Sequence, residues 1–410
     1  MRVPAGYTED GDGEAHVNET VKIANGTRRL RPAIAELEGS LIRQVAESNI
    51  GRDDVIPLWF GEPDLPTPEY IKQALVQAVE DDHVFYAQNR GIPPLRETIA
   101  AYSSNLIGRE IDVDRITASV SGMAAIMLTS ELLVDNGDNV VVVGPVWPNC
   151  KGTVFIMGGE ARTAPLRADD NGQWHLDLDD IRNQCDERTR AVFVNSPGNP
   201  TGWIMEQDQQ RELLEFTRER GIYLISDEVY IRLIYDRPRA PSFLDIADRE
   251  DRVIVINSFS KTWSMTGWRL GWLTHPADLG PDLSKLNEFN IASPPTFVQH
   301  AGVVAMRDGE LFVTEMVDRY RRNRDLVFQR LGAMPKVTLS RPEGAFYAFF
   351  SVDGMTDSVA YARQLIAETG VGMAPGRAFG EAGEGWLRLC FAAEADVLSA
   401  AMDRLEPAFS

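Results

Sequence analysis

The sequence predicts an α/β protein: a large domain with a mostly parallel sheet covered by helices, plus a smaller α+β domain. Three observations carry this expectation. From Val55 onward, short apolar runs alternate with longer amphipathic segments, the pattern of βα units around a parallel sheet. Four runs read clearly as strands, and each ends in polar or turn-forming residues: NVVVVGP (139–145), RAVFVNSPGNPTG (190–202), GIYLISDEVY (221–230) and RVIVINSFSK (252–261). After about Ser293 the pattern changes, and a long charged helical stretch from Gly309 to Leu331 leads into PEGAFYAFFSV (342–352) and GWLRLCFA (385–392). These two read as antiparallel strands flanking a helix around Ser358–Thr369.

Composition narrows the function. At 410 residues, with 44% hydrophobic and 25% charged residues, the chain has material for a large core and more than one domain. Its net charge of -20 repels nucleic acid and anionic membrane, so neither is expected as a partner, and any anion site must be a local concentration of positive charge. Three scattered cysteines without a CxxC signal no disulfide framework, and neither they nor the five histidines, which form no HExxH, signal a metal site. A reducing cytoplasm is the expected compartment. No P-loop, GxSxG or strand-following GxGxxG occurs, and no apolar run approaches the roughly 20 residues that span a bilayer. The acidic, Gly-containing N-terminal stretch lacks the hydrophobic core of a signal peptide and is expected to be a flexible arm.

In open α/β sheets ligands bind beyond the carboxyl ends of the strands, so the residues following each run are the ones to weigh. SFSKTWSMTGWRLGW (258–272) follows one run and holds an amine and a guanidinium without a carboxylate. Lys261, at the strand mouth and near Trp263, is placed to have a lowered pKa and to form a Schiff base with an aldehyde cofactor; a surface lysine is the plain alternative. Ser258, Ser260 and Arg269 supply the hydroxyls and the charged fork that a phosphate monoester demands. Ser121, Gly122 and Met123 follow the apolar ITASV and open a helical segment, whose free amides and dipole would serve the same anion.

Asp227 ends an apolar strand, where a carboxylate needs a cation such as a protonated pyridine nitrogen, or else serves as a helix N-cap. Asn199, in the turn-rich SPGNPTG, and Tyr230, one helical turn past Asp227, are placed to reach a ring hydroxyl. Trp147 offers a flat face for ring stacking. Turn or core packing is the alternative for each of these three.

Taken together, the set resembles the fold type I pyridoxal-phosphate enzymes, specifically the class I/II aminotransferases that include aspartate aminotransferase. The resemblance runs from about Pro57 to Leu405, and its most specific part is SxxK with an arginine eight residues after the lysine, preceded by NPxG and DxxY. It implies the pyridoxal-phosphate-dependent transferase fold. It further implies that Lys261 bonds the cofactor and moves the proton, that Asp227 partners the pyridine nitrogen, and that Asn199 and Tyr230 hold the ring hydroxyl. Ser258, Ser260, Arg269 and the turn Ser121–Met123 match the phosphate cup, and Trp147 the stacking position. Arg388 matches the clamp on the substrate α-carboxylate, Gly61 of GEPD a glycine beside that carboxylate, and Tyr86 a tyrosine that reaches across a homodimer interface to the neighbouring phosphate.

The resemblance also implies a domain division: an arm over 1–28, a segment 29–59 joining the small domain, a large cofactor-binding domain over 60–302 and a small domain over 303–410. The expected reaction exchanges an amino group between an α-amino acid, aspartate or aromatic among others, and a 2-oxo acid such as 2-oxoglutarate. Other reactions on the same scaffold, β-elimination, decarboxylation or aminocyclopropane formation, share these motifs, and a noncatalytic binding module is the reading from a different class. Dicarboxylate specialists of one branch carry a second substrate arginine after the cofactor arginine, whereas Leu270 to His300 holds none here, with Lys285 its only strongly basic residue. Met123, where relatives often have a small or hydroxyl residue, leaves one fewer side-chain donor for phosphate.

Overall fold

The computed structural model describes residues 31–410, so the arm expected over 1–28 lies outside the described residues. In chain order the strands begin with β1 (Ile56–Pro57), β2 (Ile116–Ser119), β3 (Asn139–Gly144), β4 (Glu160–Ala168), β5 (Trp174–Leu176), β6 (Thr189–Asn195), β7 (Tyr223–Asp227), β8 (Val253–Ser258) and β9 (Gly271–Thr274). They continue with β10 (Val337–Leu339), β11 (Tyr347–Val352), β12 (Val371–Gly372), β13 (Ala374–Pro375) and β14 (Trp386–Cys390).

Eight strands form one sheet in the order β2-β9-β8-β7-β6-β3-β4-β5. Strands β4, β3, β6, β7 and β8 run parallel, while β5 and β9 are antiparallel to their neighbours. The apolar runs are continuous because both faces of this sheet are covered. Val140 and Val142 point into one core with Ile254 and Ile256, and Val141 and Val143 into the other with Val253 and Val255. The helices Gly122–Leu133, Asn149–Ile156 and Gly280–Asn290 cover the first face; Pro93–Ile107 and Gln207–Arg220 cover the second.

A second, antiparallel sheet runs β10-β11-β14-β13. The helices Glu310–Gly332, Ser358–Thr369 and Ala395–Phe409 bury one side each in its core. β1 pairs in parallel with β12, so the chain just before the first large-sheet helix is stitched to the C-terminal part.

Strand β2 is the apolar run ITAS, while β9 does not stand out in the sequence; at four residues each they complete the edge on which the site depends. Because β2 is antiparallel to β9 and β9 to β8, the end of β2 reaches the same edge as the ends of β3, β6, β7 and β8. Gly271 opens β9 between them. A Cβ there would stand 2.7 Å from the Gly122 amide nitrogen and the Ser121 carbonyl carbon, and 2.8 Å from the Asn257 oxygen, all backbone atoms. Only glycine permits that approach.

Candidate active site

A cavity of about 520 Å³ lies at the carboxyl edge of the large sheet, and its wall contains every sequence-predicted site residue except Tyr86. Tyr86 is 92% exposed in the segment after the helix Glu69–Glu80, and it does not reach this cavity within its own chain.

Lys261 stands on the short helix Phe259–Thr262 that follows β8 directly. Its Nζ donates to the Gly61 carbonyl and lies 5.8 Å from the centre of the Phe346 ring. Removal from water lowers its pKa to about 8; Cys390 and Glu62 oppose the shift, and the charges of Arg388 and Arg269 add to it. Ser258 caps the same helix: its hydroxyl accepts from the Ser260 amide and lies 3.0 Å from the Ser260 hydroxyl.

Across from them, the helix Gly122–Leu133 begins with its Ser121 side chain accepting from the Ala124 amide at 3.0 Å. The amides of Gly122 and Met123 have no acceptor among the described residues, and they line the cavity at the positive end of the helix dipole. Arg269 enters from the turn after Trp268, held in the left-handed region (φ 55°, ψ 64°) that non-glycine residues seldom adopt. Its Nη1 donates to the Thr266 carbonyl at 2.6 Å. The Met123 sulfur accepts from the Asn149 side-chain Nδ2 at 3.3 Å, so this side chain is engaged with its neighbour helix and offers no donor.

Asp227, the last residue of β7, is 5% exposed, and among the described residues its carboxylate accepts only from the Val229 amide, at 3.3 Å. Burial pushes its pKa up to about 7, against the Val229 hydrogen bond and the Lys261 charge. Here the structure departs from the helical spacing expected after this strand: residues 228–232 form consecutive turns, with Ile231 bonding back to Glu228 and Leu233 to Tyr230. Asp227 therefore caps no helix, and Tyr230 reaches the cavity because the turns fold it back. The Tyr230 hydroxyl meets that of Tyr347 at 2.7 Å, and burial pushes its pKa well above the ordinary value.

Asn199 is held by Asn195, whose side-chain oxygen accepts from its amide at 2.8 Å while its nitrogen donates to the Asp227 carbonyl at 3.1 Å. The Trp147 amide donates to the Asn199 carbonyl at 2.9 Å, tying the end of β3 to the end of β6. Arg388, on β14, is 2% exposed and donates from Nη1 to Asn199 Oδ1 at 2.9 Å and from Nη2 to the Trp59 carbonyl. Its guanidinium lies 4.5 Å from the Tyr347 ring centre, its Nε has no partner, and no carboxylate pairs with it among the described residues. A buried cation without a counter-ion fits an anionic ligand.

Tyr347, Asn195 and Arg43 also line this cavity and were not singled out in the sequence. Tyr347 is buried in β11 and sets the need for glycine at position 61, where a Cβ would come within 2.0 Å of its hydroxyl. Arg43, on the helix Leu41–Ala46, lies 5.9 Å over the Phe60 ring and enters no ion pair among the described residues. The only local signal for Asn195 was its place at the head of the SPGNPTG turn.

Comparison with known proteins agrees over nearly the whole chain. The family described as aminotransferase class I and II matches residues 53–405. An aspartate aminotransferase of Pyrococcus horikoshii is 32% identical over 91% of this chain and 95% of its own. An aromatic-amino-acid aminotransferase 2 of Thermococcus litoralis is 33% identical over 90% and 95%. Among solved structures, an aspartate aminotransferase from Thermotoga maritima superposes with a TM-score of 0.86 at 33% identity, covering 92% of this chain and 99% of that one.

Proposed function

The chain belongs to the class I and II aminotransferases and is a pyridoxal-phosphate-dependent enzyme; from that premise we propose that it moves an amino group from aspartate or an aromatic amino acid to 2-oxoglutarate. The observation that carries the proposal is the joint presence, in one cavity, of a lysine with a depressed pKa, a buried carboxylate without a cation and a buried guanidinium without an anion. The residues present fit the cofactor: the unpartnered amides of Gly122 and Met123, with Ser121, Ser258, Ser260 and Arg269, suit its phosphate. Asp227 suits its ring nitrogen, Asn199 and Tyr230 its hydroxyl, and Trp147 its ring face. When bound, the cofactor supplies the electron sink that stabilises a carbanion next to the amino nitrogen.

The protein's part is orientation and proton transfer. Burial lowers the Lys261 pKa to about 8, so at neutral pH its nitrogen would more readily serve as the free amine that takes a proton from the substrate α-carbon and then, as the ammonium, gives it to the neighbouring carbon. Arg388 and Asn199 fix the substrate carboxylate, and the absence of a side chain at Gly61 leaves room beside Tyr347. Arg43, at the cavity wall, supports an acidic substrate by standing where a distal carboxylate would find a cation. That role answers the lack of an arginine between Leu270 and His300.

The proposal extends to the assembly and compartment. Phe85, Tyr86 and Phe289 are 76%, 92% and 89% exposed, and large aromatic side chains left so exposed support a homodimer in which Tyr86 serves the neighbouring phosphate. Free thiols at Cys150, Cys185 and Cys390 support a reducing cytoplasm. No described helix is long and apolar enough to cross a membrane. The pairing of β1 with β12 supports the division in which residues 29–59 join the unit at 303–410.

A donor panel with 2-oxoglutarate tests the reaction. Aspartate or an aromatic donor is expected to yield glutamate, Lys261→Ala to lower turnover by at least about a thousandfold, and Arg43→Ala to raise KM for 2-oxoglutarate more than for pyruvate. Ammonia or pyruvate release without an acceptor would overturn it.

A further inference from the structure

Two backbone carbonyls belong to the cavity's chemistry, and both come from one loop. The Trp59 carbonyl accepts from Arg388 and the Gly61 carbonyl from Lys261. The position of this loop therefore sets how Arg388 is aimed. Asp64, at its far end, is gripped by Arg319 of the helix Glu310–Gly332: Nη1 to Oδ1 and Nη2 to Oδ2, each at 2.6 Å, with the side chains 17% and 20% exposed. Glu394 adds a third contact, 3.2 Å from Arg319 Nη2.

One turn along the same helix, on the same face, Asn323 is 3% exposed and donates to the carbonyls of Phe391 at 2.9 Å and Ala393 at 2.7 Å. Those residues directly follow β14, the strand that carries Arg388. Loop and strand are themselves joined, the Cys390 amide donating to the Leu58 carbonyl at 3.0 Å and the Asp64 amide to the Ala392 carbonyl at 3.2 Å. Arg319, Asn323 and Asp64 do not line the 520 Å³ cavity, so none of them touches a ligand held there.

We propose that Arg319 and Asn323 are positioning residues for the substrate carboxylate, clamping the Trp59–Asp64 loop and the β14 end to one helix face so that Arg388 is held ready for bidentate binding. The proposal rests on the assignment of Arg388 made above. The parallel, two-point grip on Asp64 needs a planar fork, so a lysine at 319 keeps the charge and loses the register. Every substrate of a two-half reaction presents the same carboxylate, so the effect falls on amino acid and oxo acid alike.

The test compares the holoenzymes of Arg319→Lys and Asp64→Asn with wild type and with Arg388→Lys. The readouts are steady-state kinetics, the affinity for propionate read from the absorption of the bound cofactor, and the thermal midpoint. Both clamp variants are expected to raise KM for the two substrates together by at least about fivefold and to weaken propionate binding in parallel, with kcat within about twofold. Unchanged KM and propionate affinity in folded variants overturn the clamp, as does a loss confined to kcat or to thermal stability. An Arg388→Lys enzyme with normal propionate affinity instead removes the assignment of Arg388, and the clamp with it.

Discussion

At Asp227 the fold maintains an unfavourable charge. The residue is 5% exposed with a single amide donor to its carboxylate among the described residues, and its pKa rises from 3.8 to about 7. A folded-state pKa above the unfolded one means the folded protein binds more protons between those values, so stability falls as pH rises from about 4 to about 7. Replacing the group with a neutral isostere removes that loss. Cofactor-free Asp227→Asn is expected to be more stable than wild type by about 2–4 kcal/mol at pH 8 and nearly equal at pH 4, by denaturant melts, while losing transamination. A variant no more stable at pH 8 would show that the carboxylate is satisfied in some other way. Asp227 and Lys261 were legible in the sequence because charged residues at the ends of apolar runs need a reason, Arg269 because it shares a carboxylate-free stretch with Lys261, and Arg388 through the family resemblance. Tyr347 was not, since a tyrosine in FYAFF reads as core, and its partner Tyr230 lies 117 residues away.

Among the elements, the site depends on how closely β9 approaches the start of the helix Gly122–Leu133. Gly271→Ala would press a methyl against backbone atoms of Ser121, Gly122 and Asn257 at 2.7–2.8 Å, none of which retreats as a flexible side chain would. The expected result is a loss of about 2–4 kcal/mol in stability together with weakened binding of pyridoxal phosphate, measured by melting and by cofactor titration. A variant that binds the cofactor normally would mean the phosphate residues tolerate displacement. The long strands were legible from their unbroken apolar runs. β9 and its pairing with β2 were not, because four residues carry too little periodicity and the pairing joins segments far apart in the chain. The turns at 228–232 replaced an expected helical turn, since the chain leaving β7 must fold back at once to return Tyr230 to the cavity.

For the whole molecule, Phe85, Tyr86 and Phe289 are large aromatic side chains left exposed by the single chain. Equilibrium sedimentation is expected to give twice the chain mass, and Tyr86→Phe to weaken cofactor affinity by about tenfold without dissociating the pair. An active monomer would refute this. The net charge of -20 makes the cavity, with Lys261, Arg269, Arg388 and Arg43 on its wall, a local exception that attracts anionic substrates.

By itself the sequence determined the fold class, the cofactor chemistry and most of the residues that the structure gathers on the wall of one cavity, because most are tied to a local pattern: an apolar run, a turn, or a charge placed where none is cheap. Only the tertiary structure decided which distant groups meet. Asn199 with Arg388, Asp64 with Arg319 and the Gly61 backbone with the Tyr347 hydroxyl are encounters between segments far apart in the chain, and pairings of that kind leave no periodic or local trace along it.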